Sequence, residues 1–464
     1  MGVSALTNRQ RRLIIFIVIG ANFLFLLNQF LLITAYPVIM RDYAINATQV
    51  QWLTTAFLLV TSIFILMTGY LIDRFTTRQL VVSSLVMLVI GTLIGWLAPS
   101  FLVLVVARII QAIGAGIMLP LVQTILLMVY PENQRGRAMG LLGFVMNVAP
   151  AIGPSIAGLI VDFYSWPFLF FIILPPAGFF LLLASVYMRN ITEQRPTKLD
   201  VPSVVLSSVS LTGILFGTSM ISVVGFVDWI VWLPLLAGVL CLWLFVQRQL
   251  TLKFPTLNVR ILKNKSFTWI TASVFIIAML LLSAETILPL FSQDAQGSSA
   301  FVAGVILFPG TVILSITSLL GGHLFDKYGG KTVISSGFIL LLVACFLFIL
   351  FDKETSSIFI SSIFCIFMAG IGLTMMPQVT LAMNRVPRTE LAHGTSIVTT
   401  LRQFGMGIGV TLLTTLISLS TNDPSVPYPE AVLQGSRGAF IAMSVLAVLS
   451  FGFFGLGQTR WKRE

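Results

Sequence analysis

The chain has 464 residues, of which 57% are hydrophobic and 9% charged, and its mean hydropathy is +1.01. A soluble core of that size cannot be wrapped by so few charges, which excludes a set of ordinary water-soluble domains. The formal net charge of +11 is broken into small clusters between apolar runs, so no single basic face is left to hold nucleic acid.

Apolar stretches of about 20 residues, the length a helix needs to cross roughly 30 Å of hydrocarbon, recur fourteen times along the chain. They fall near residues 13–37, 49–72, 79–98, 101–129, 137–161, 166–188, 202–222, 229–247, 267–291, 301–325, 331–351, 356–383, 393–420 and 437–459. The expected fold class is therefore an all-α polytopic membrane protein with 14 transmembrane helices. Arg9, Arg11 and Arg12 before the first run resemble the start of a signal peptide, but the run is too long and lacks a small-residue cleavage site, so it counts as the first span.

Allocating charges to alternate sides tests the count, because cytoplasmic loops hold the Lys and Arg. With the N-terminus inside, the inner segments carry 22 basic and 7 acidic residues, whereas the outer ones carry Arg41, Lys353 and Arg437 against 8 acids. Only Arg108, Arg402 and Glu285 stay within the membrane. The expectation is a multi-pass protein of the cytoplasmic membrane of a bacterial cell, with both termini cytoplasmic and the lipid bilayer as its surroundings.

Two markers recur at nearly constant spacing. Gly69, Asp73, Arg74 and Arg78 after the second span are echoed by Gly322, Asp326, Lys327 and Lys331, 253 residues on. Gly114, Gly116, Pro131 and Gly153 are matched by Gly370, Gly372, Pro387 and Gly409, each displaced by 256. An offset of eight helices implies an N-terminal six-helix half over residues 1–190, a two-helix insert with its linkers over 191–265, and a C-terminal six-helix half over 266–464. Parallel halves of this kind build many secondary transporters, with the substrate site at midplane and alternating access by rocking.

Taken in chain order, the polar residues inside the spans are few. Asn28 and Gln29 lie on the first, Gln111 and Gln123 on the fourth, Asn147 on the fifth, Gln378 on the twelfth, and Arg402 with Gln403 on the thirteenth. Each amide either lines a cavity or joins helices. The turn from Gly69 to Arg78, with Asp326, Lys327 and Lys331 as its echo, is a candidate conformational latch; a generic basic turn is the plain alternative. Arg108 costs about 2.5–3.5 kcal/mol inside a bilayer unless it faces a partner or water. It is expected to point inward, with snorkelling to the surface as the alternative.

The fifth span gathers Gly143, Pro150, Gly153, Pro154 and Gly158. Small residues three and four apart admit a neighbouring backbone, and two prolines need a close neighbour or a cavity to be tolerated. Glu285 on the ninth span is the acid placed within hydrocarbon. Burial penalises its charge, so it can carry a proton near neutral pH; a static bridge to Arg108, or simple exposure to outer water, would explain it otherwise. Cys241, Cys345 and Cys365 sit inside apolar runs without metal-type spacing, so no metal or cofactor is expected beyond protons as the coupling ion. No nucleophile constellation, P-loop or clustered histidine suggests an enzyme.

These residues resemble the major facilitator superfamily, and fourteen spans with a central insert resemble its drug:proton antiporter branch. Gly69 to Arg78 is similar to the loop signature after helix two; Arg108, Gln111 and Gly114 match the helix-four signature; Gly143 to Gly158 match the helix-five antiporter signature. Pro255 to Phe267 is similar to the segment leading into the second half. The sequence departs from these patterns at Thr76, Thr77, Ala112 and Ala157, and Asn28 stands nine residues before Pro37 where the family has an acid. Because Asn28 cannot carry a proton, the resemblance puts the coupling role on Glu285, with Arg108 as the second candidate coupling residue. The resemblance implies proton-coupled export of lipophilic, cationic drugs or dyes, with no obligatory protein partner. Export or import of a defined metabolite, and a non-transporting receptor or scaffold, are the alternative readings.

Overall fold

In the computed structural model the described residues are 7–195, 199–225, 228–421 and 426–459. Among them are fourteen helices long and apolar enough to cross a membrane. In chain order the spanning helices are α1 (Asn8–Leu31), α2 (Trp52–Arg74), α3 (Thr77–Trp96), α4 (Phe101–Val129), α5 (Arg135–Phe163), α6 (Leu174–Tyr187), α7 (Val201–Val224) and α8 (Trp229–Thr251). They continue as α9 (Lys265–Leu290), α10 (Ala300–Tyr328), α11 (Gly330–Phe348), α12 (Ser357–Met383), α13 (Leu391–Thr421) and α14 (Tyr428–Thr459).

Their ends follow local chemistry. Thr7 and Thr76 form capping boxes with Gln10 and Gln79, while Asn264, Ser299 and Ser356 accept from the first-turn N–H groups of α9, α10 and α12. Where the sequence suggested one span over 13–37, the helix breaks after Leu31 and restarts at Tyr36–Asp42 with Pro37 in its first turn, the position proline tolerates best. The sixth span is divided in the same way: a short turn at Phe168–Phe171 precedes α6, whose first turn holds Pro175 and Pro176.

The helices pack into two bundles and a pair. Val18, Phe25, Leu88, Leu121 and Leu142 are fully buried in the first bundle, and Ile277, Leu288, Phe338, Phe364 and Phe440 in the second. Small residues let the helices approach: a Cβ on Gly114 would lie 2.6 Å from the Ser84 carbonyl, and one on Gly116 would lie 2.6 Å from that of Thr61. Outward-facing Leu182, Trp229, Phe301 and Ile358 are 69 to 80% exposed, an apolar belt that only lipid would cover.

Helices α7 and α8 are pinned together at Gly213 and Gly238, where backbone meets backbone. At one end Arg248 donates from Nε and Nη2 to the Asp200 carboxylate at 2.6 and 2.7 Å. These bonds hold the Asp200 carboxyl down at about 2. The pair is not free-standing, because α7 packs against α2 of the first bundle and α13 of the second. Leu211 and Leu215 of α7 border a narrow crevice there with Ser62, Ile65, Thr400 and Gln403.

Candidate functional site

Fourteen passes bring the start of α1 and the end of α14 to one face, called here the terminal face. On that face the C-terminal turn of α2 meets the first turn of α13. The Asp73 carboxylate and the His393 ring, 320 residues apart, come within 3.1 Å. His393 Nδ1 accepts from the Asn258 backbone N–H at 3.3 Å, so Nε2 carries the proton and donates to Asp73. Gly69 makes this possible, since a Cβ there would stand 2.6 Å from the His393 ring nitrogen.

The contact closes into a ring of four chain segments. Arg195, beyond α6, donates its backbone N–H to the Asp73 carbonyl at 2.7 Å and its guanidinium to Glu390 at 3.3 Å. Asn258, on the linker after the insert, donates its amide to the same Glu390 at 3.0 Å.

The second repeat builds the equivalent joint differently. Asp326 accepts from the backbone N–H groups of Gly136 and Arg137 at 2.9 and 2.7 Å, the orphan donors of the first turn of α5. Gly322 lies directly on the Gly136 backbone, and a Cβ on Gly140 would lie 2.9 Å from the Gly322 Cα. Arg135 Nη1 donates to Asn384 at 2.8 Å in the same layer.

Among the candidate latch residues, Gly69, Asp73 and Asp326 thus stand between the bundles. Arg74, Lys327 and Lys331 are exposed instead, and Arg78 donates to the Ser185 carbonyl of α6 within its own bundle. His393, Arg195, Asn258, Glu390, Gly136 and Gly140 were not singled out by sequence. The one available signal was that His393, one of two histidines in the chain, begins a helix.

Deeper in the molecule three further contacts join the bundles. Thr124 and Thr395 hydroxyls lie 2.7 Å apart, Asn147 donates to Ser318 at 3.0 Å, and Arg402 Nη1 lies 4.0 Å from the Met146 sulfur. Towards the opposite face the bonds stay within bundles: Trp166 Nε1 donates to Asp42 at 2.6 Å in the first, and Lys353 to Glu430 at 3.2 Å in the second.

Helix α5 changes neighbours along its length for this reason. Gly143 faces Met376 of the second bundle; Gly153 faces Phe30 of α1. Pro150 is half-buried and Pro154 exposed. The close neighbour expected at Gly158 is absent from this conformation, where nothing lies within 4 Å of its Cβ position, because α5 has by then left α10 and α12 behind.

Arg108 is 1% exposed and points into the first bundle. Its Nη1 donates to the Asn28 carbonyl at 3.2 Å and to Gln111 Oε1 at 3.0 Å, and its guanidinium carbon sits 4.2 Å over the Phe57 ring. Gln111 is fixed in turn by donating to Thr92 at 2.9 Å. Carbonyl dipoles and a ring face therefore hold this charge.

Glu285 is half-buried and makes no hydrogen bond or ion pair with any described residue, which removes the static bridge to Arg108. Gln29 is half-buried beside Asn28 on α1. Gln123 Oε1, the Asn28 amide nitrogen and both amide atoms of Gln378 are buried without a described partner. Gln403 faces the α7 crevice, on the insert side of α13.

Fourteen spanning helices arranged as two bundles bonded face to face are the architecture of a membrane transporter. Residues 18–410 match the family model described as Major Facilitator Superfamily, and the chain belongs to that family. It is a multi-pass membrane transporter and not an enzyme. It is 40% identical over 443 residues to the uncharacterized MFS-type transporter YcnB of Bacillus subtilis, covering 95% of this chain and 94% of that one. The lincomycin resistance protein LmrB of the same organism is 36% identical over 441 residues, with 92% of each chain covered, and the multidrug transporter protein MdtP is 29% identical over 446, covering 93% of this chain and 81% of that one. Among solved structures, the human organic anion transporter MFSD10 superposes with a TM-score of 0.68 at 14% identity, over 96% of this chain and 99% of that one. The Escherichia coli fucose:proton symporter FucP gives 0.65 at 13% identity, over 95% and 99%, and these two likenesses concern the fold alone.

Proposed function

We propose that this transporter exports lipophilic, cationic compounds across the cytoplasmic membrane in exchange for protons. The terminal face is cytoplasmic, in keeping with the excess of Lys and Arg in its loops. The observation that carries the reading is the Glu285 carboxylate, half-buried in an apolar helix with no hydrogen-bond or ion-pair partner among the described residues. A group in that position binds either a proton or a cationic ligand, since each neutralises a charge that desolvation penalises, and it does not favour both at once.

The bonds around Asp73 and Asp326 serve in this scheme as latches that keep the cytoplasmic side shut while the cavity faces outward. Arg108, held by Asn28 and Gln111, sets the positive field on the first-bundle wall. Relatives named for lincomycin resistance and multidrug transport support drugs as the substrate class. The scarcity of polar residues in the spans favours greasy substrates over a sugar-like metabolite. The experiment is uphill dye accumulation by the full chain in proteoliposomes with an imposed pH difference. Accumulation that ignores the gradient contradicts proton coupling.

A further inference from the structure

We infer that Arg402 and Thr399 of α13 form a carboxylate-binding subsite between the bundles. This inference rests on the transport reading above and extends its substrate class to amphiphiles that carry a carboxylate.

Depth comes first. Arg402 lies eleven residues into the 31-residue α13, about 16 Å along its axis and on the terminal-face side of the helix's middle. Its neighbour Met146 is its own counterpart at the repeat offset of 256, so the two meet where the related halves face each other. Thr395, Thr399 and Arg402 follow one face of the helix at i, i+4 and i+7. Thr395 bonds to Thr124 of the first bundle, so this face looks at that bundle.

Beyond Thr395, the donors on this face lack oxygen acceptors among the described residues. Arg402 is 4% exposed, its Nε has no described partner, and the partner of Nη1 is a thioether sulfur at 4.0 Å, a weak acceptor. The Thr399 hydroxyl is 1% exposed and also without a described partner, although Thr411 and Thr415 on the same helix return theirs to carbonyls four residues back. Arg108 Nε and Arg135 Nη2 are also without a described partner, but those arginines have oxygen acceptors elsewhere on the guanidinium: the Asn28 carbonyl and Gln111 for Arg108, the Leu127 carbonyl and Asn384 for Arg135.

Among the described residues no carboxylate pairs with Arg402. Gly409 packs on Met279, so α9 and α13 run side by side, and Glu285 lies about 20 Å further along them than Arg402. A guanidinium fork with a hydroxyl one turn away suits a planar oxyanion, which it can take in bidentate fashion. A bare ammonium would be repelled.

The test uses a carboxyl-bearing rhodamine and its methyl ester, which share the same cationic ring system and differ in the carboxylate. Binding to the purified full-length protein in lipid nanodiscs is read by fluorescence polarisation. Arg402→Met is expected to weaken the carboxyl dye about tenfold while the ester stays within about twofold, with Arg402→Lys between, because lysine keeps the charge and loses the fork. Thr399→Val should weaken the carboxyl dye alone by a smaller factor. Unchanged ester binding shows that each variant is folded. Equal losses for both dyes, no loss for either, or a wild-type protein that does not bind the carboxyl dye overturns the subsite. Failure to move the ester uphill in proteoliposomes would count against the export reading, and binding would still decide the subsite.

Discussion

Asp73 and Asp326 hold the same place in the two repeats, yet Asp73 meets the imidazole of His393 while Asp326 meets the bare helix start at Gly136 and Arg137. One joint therefore depends on a side chain that can be changed, and the other on backbone. Only the first is also tied, through Asn258 and Arg195, to the linkers on either side of the insert.

Asp73→Asn is expected to lower transport about tenfold with the protein still folded and inserted, because Asp73 sits at a helix end where loss of its charge costs little stability but biases the closed state. His393→Ala should do the same, and the double variant should be no worse than either single one, since both remove one interaction. Efflux at matched expression checks this. Additive losses would mean the two residues act separately.

The α5–α10 joint depends on bare backbone. A Cβ on Gly136 would stand 2.5 Å from an Asp326 oxygen and 2.6 Å from the Gly322 carbonyl. Gly136→Val should therefore force the bundles apart on the terminal face and abolish transport. Gly158→Leu should leave expression and melting unchanged, since open space surrounds it here, and should abolish transport when that region closes in the cycle. Cysteine cross-linking across each face distinguishes the two outcomes; a Gly136→Val variant that transports at the wild-type rate contradicts the joint.

The insert pair gives a prediction about pH. Bonds from Arg248 lower the Asp200 carboxyl from 3.8 to about 2. A lowered carboxyl contributes stability above its unfolded value and loses it as pH falls towards the folded one. The difference in melting temperature between wild type and Asp200→Asn should hence be flat from neutral pH down to about 4 and shrink only below that. Its size should be modest, because Arg248 is 40% exposed and water screens the pair. A gap that narrows between pH 7 and 5 would contradict the assignment.

Much of the fold was legible in the sequence because hydrocarbon thickness fixes the length of apolar runs, and because the repeat made Asp73 and Asp326 announce each other. The prolines also marked breaks, as at Pro37, though the sequence count ran through it. What could not be read was pairing across distance. The partner of Asp73 lies 320 residues away, and nothing near His393 points to it. The stripe of small residues on α5 was noticed from Gly143 onward, but its tightest contacts are at Gly136 and Gly140, where a basic loop masks the pattern. The crossing angle of α5 also left Gly158 in open space, a feature of three-dimensional packing that helical spacing does not encode. The sequence places Arg402 inside the thirteenth span but does not encode its only described side-chain partner, the Met146 sulfur of the other bundle.

The central claim is that one carboxylate exchanges proton for substrate. Glu285 stands on α9 with no hydrogen-bond or ion-pair partner among the described residues, and Asn28 on α1 cannot carry a proton. Glu285→Gln keeps shape and removes the titrating charge; Glu285→Asp keeps the charge and shortens the reach. The decisive measurement is accumulation of a cationic dye against its gradient in proteoliposomes with an imposed pH difference. The account predicts that Glu285→Gln abolishes uphill movement and weakens cationic dyes more than neutral ones, with Glu285→Asp retaining part of the activity. Undiminished uphill transport by Glu285→Gln would contradict it.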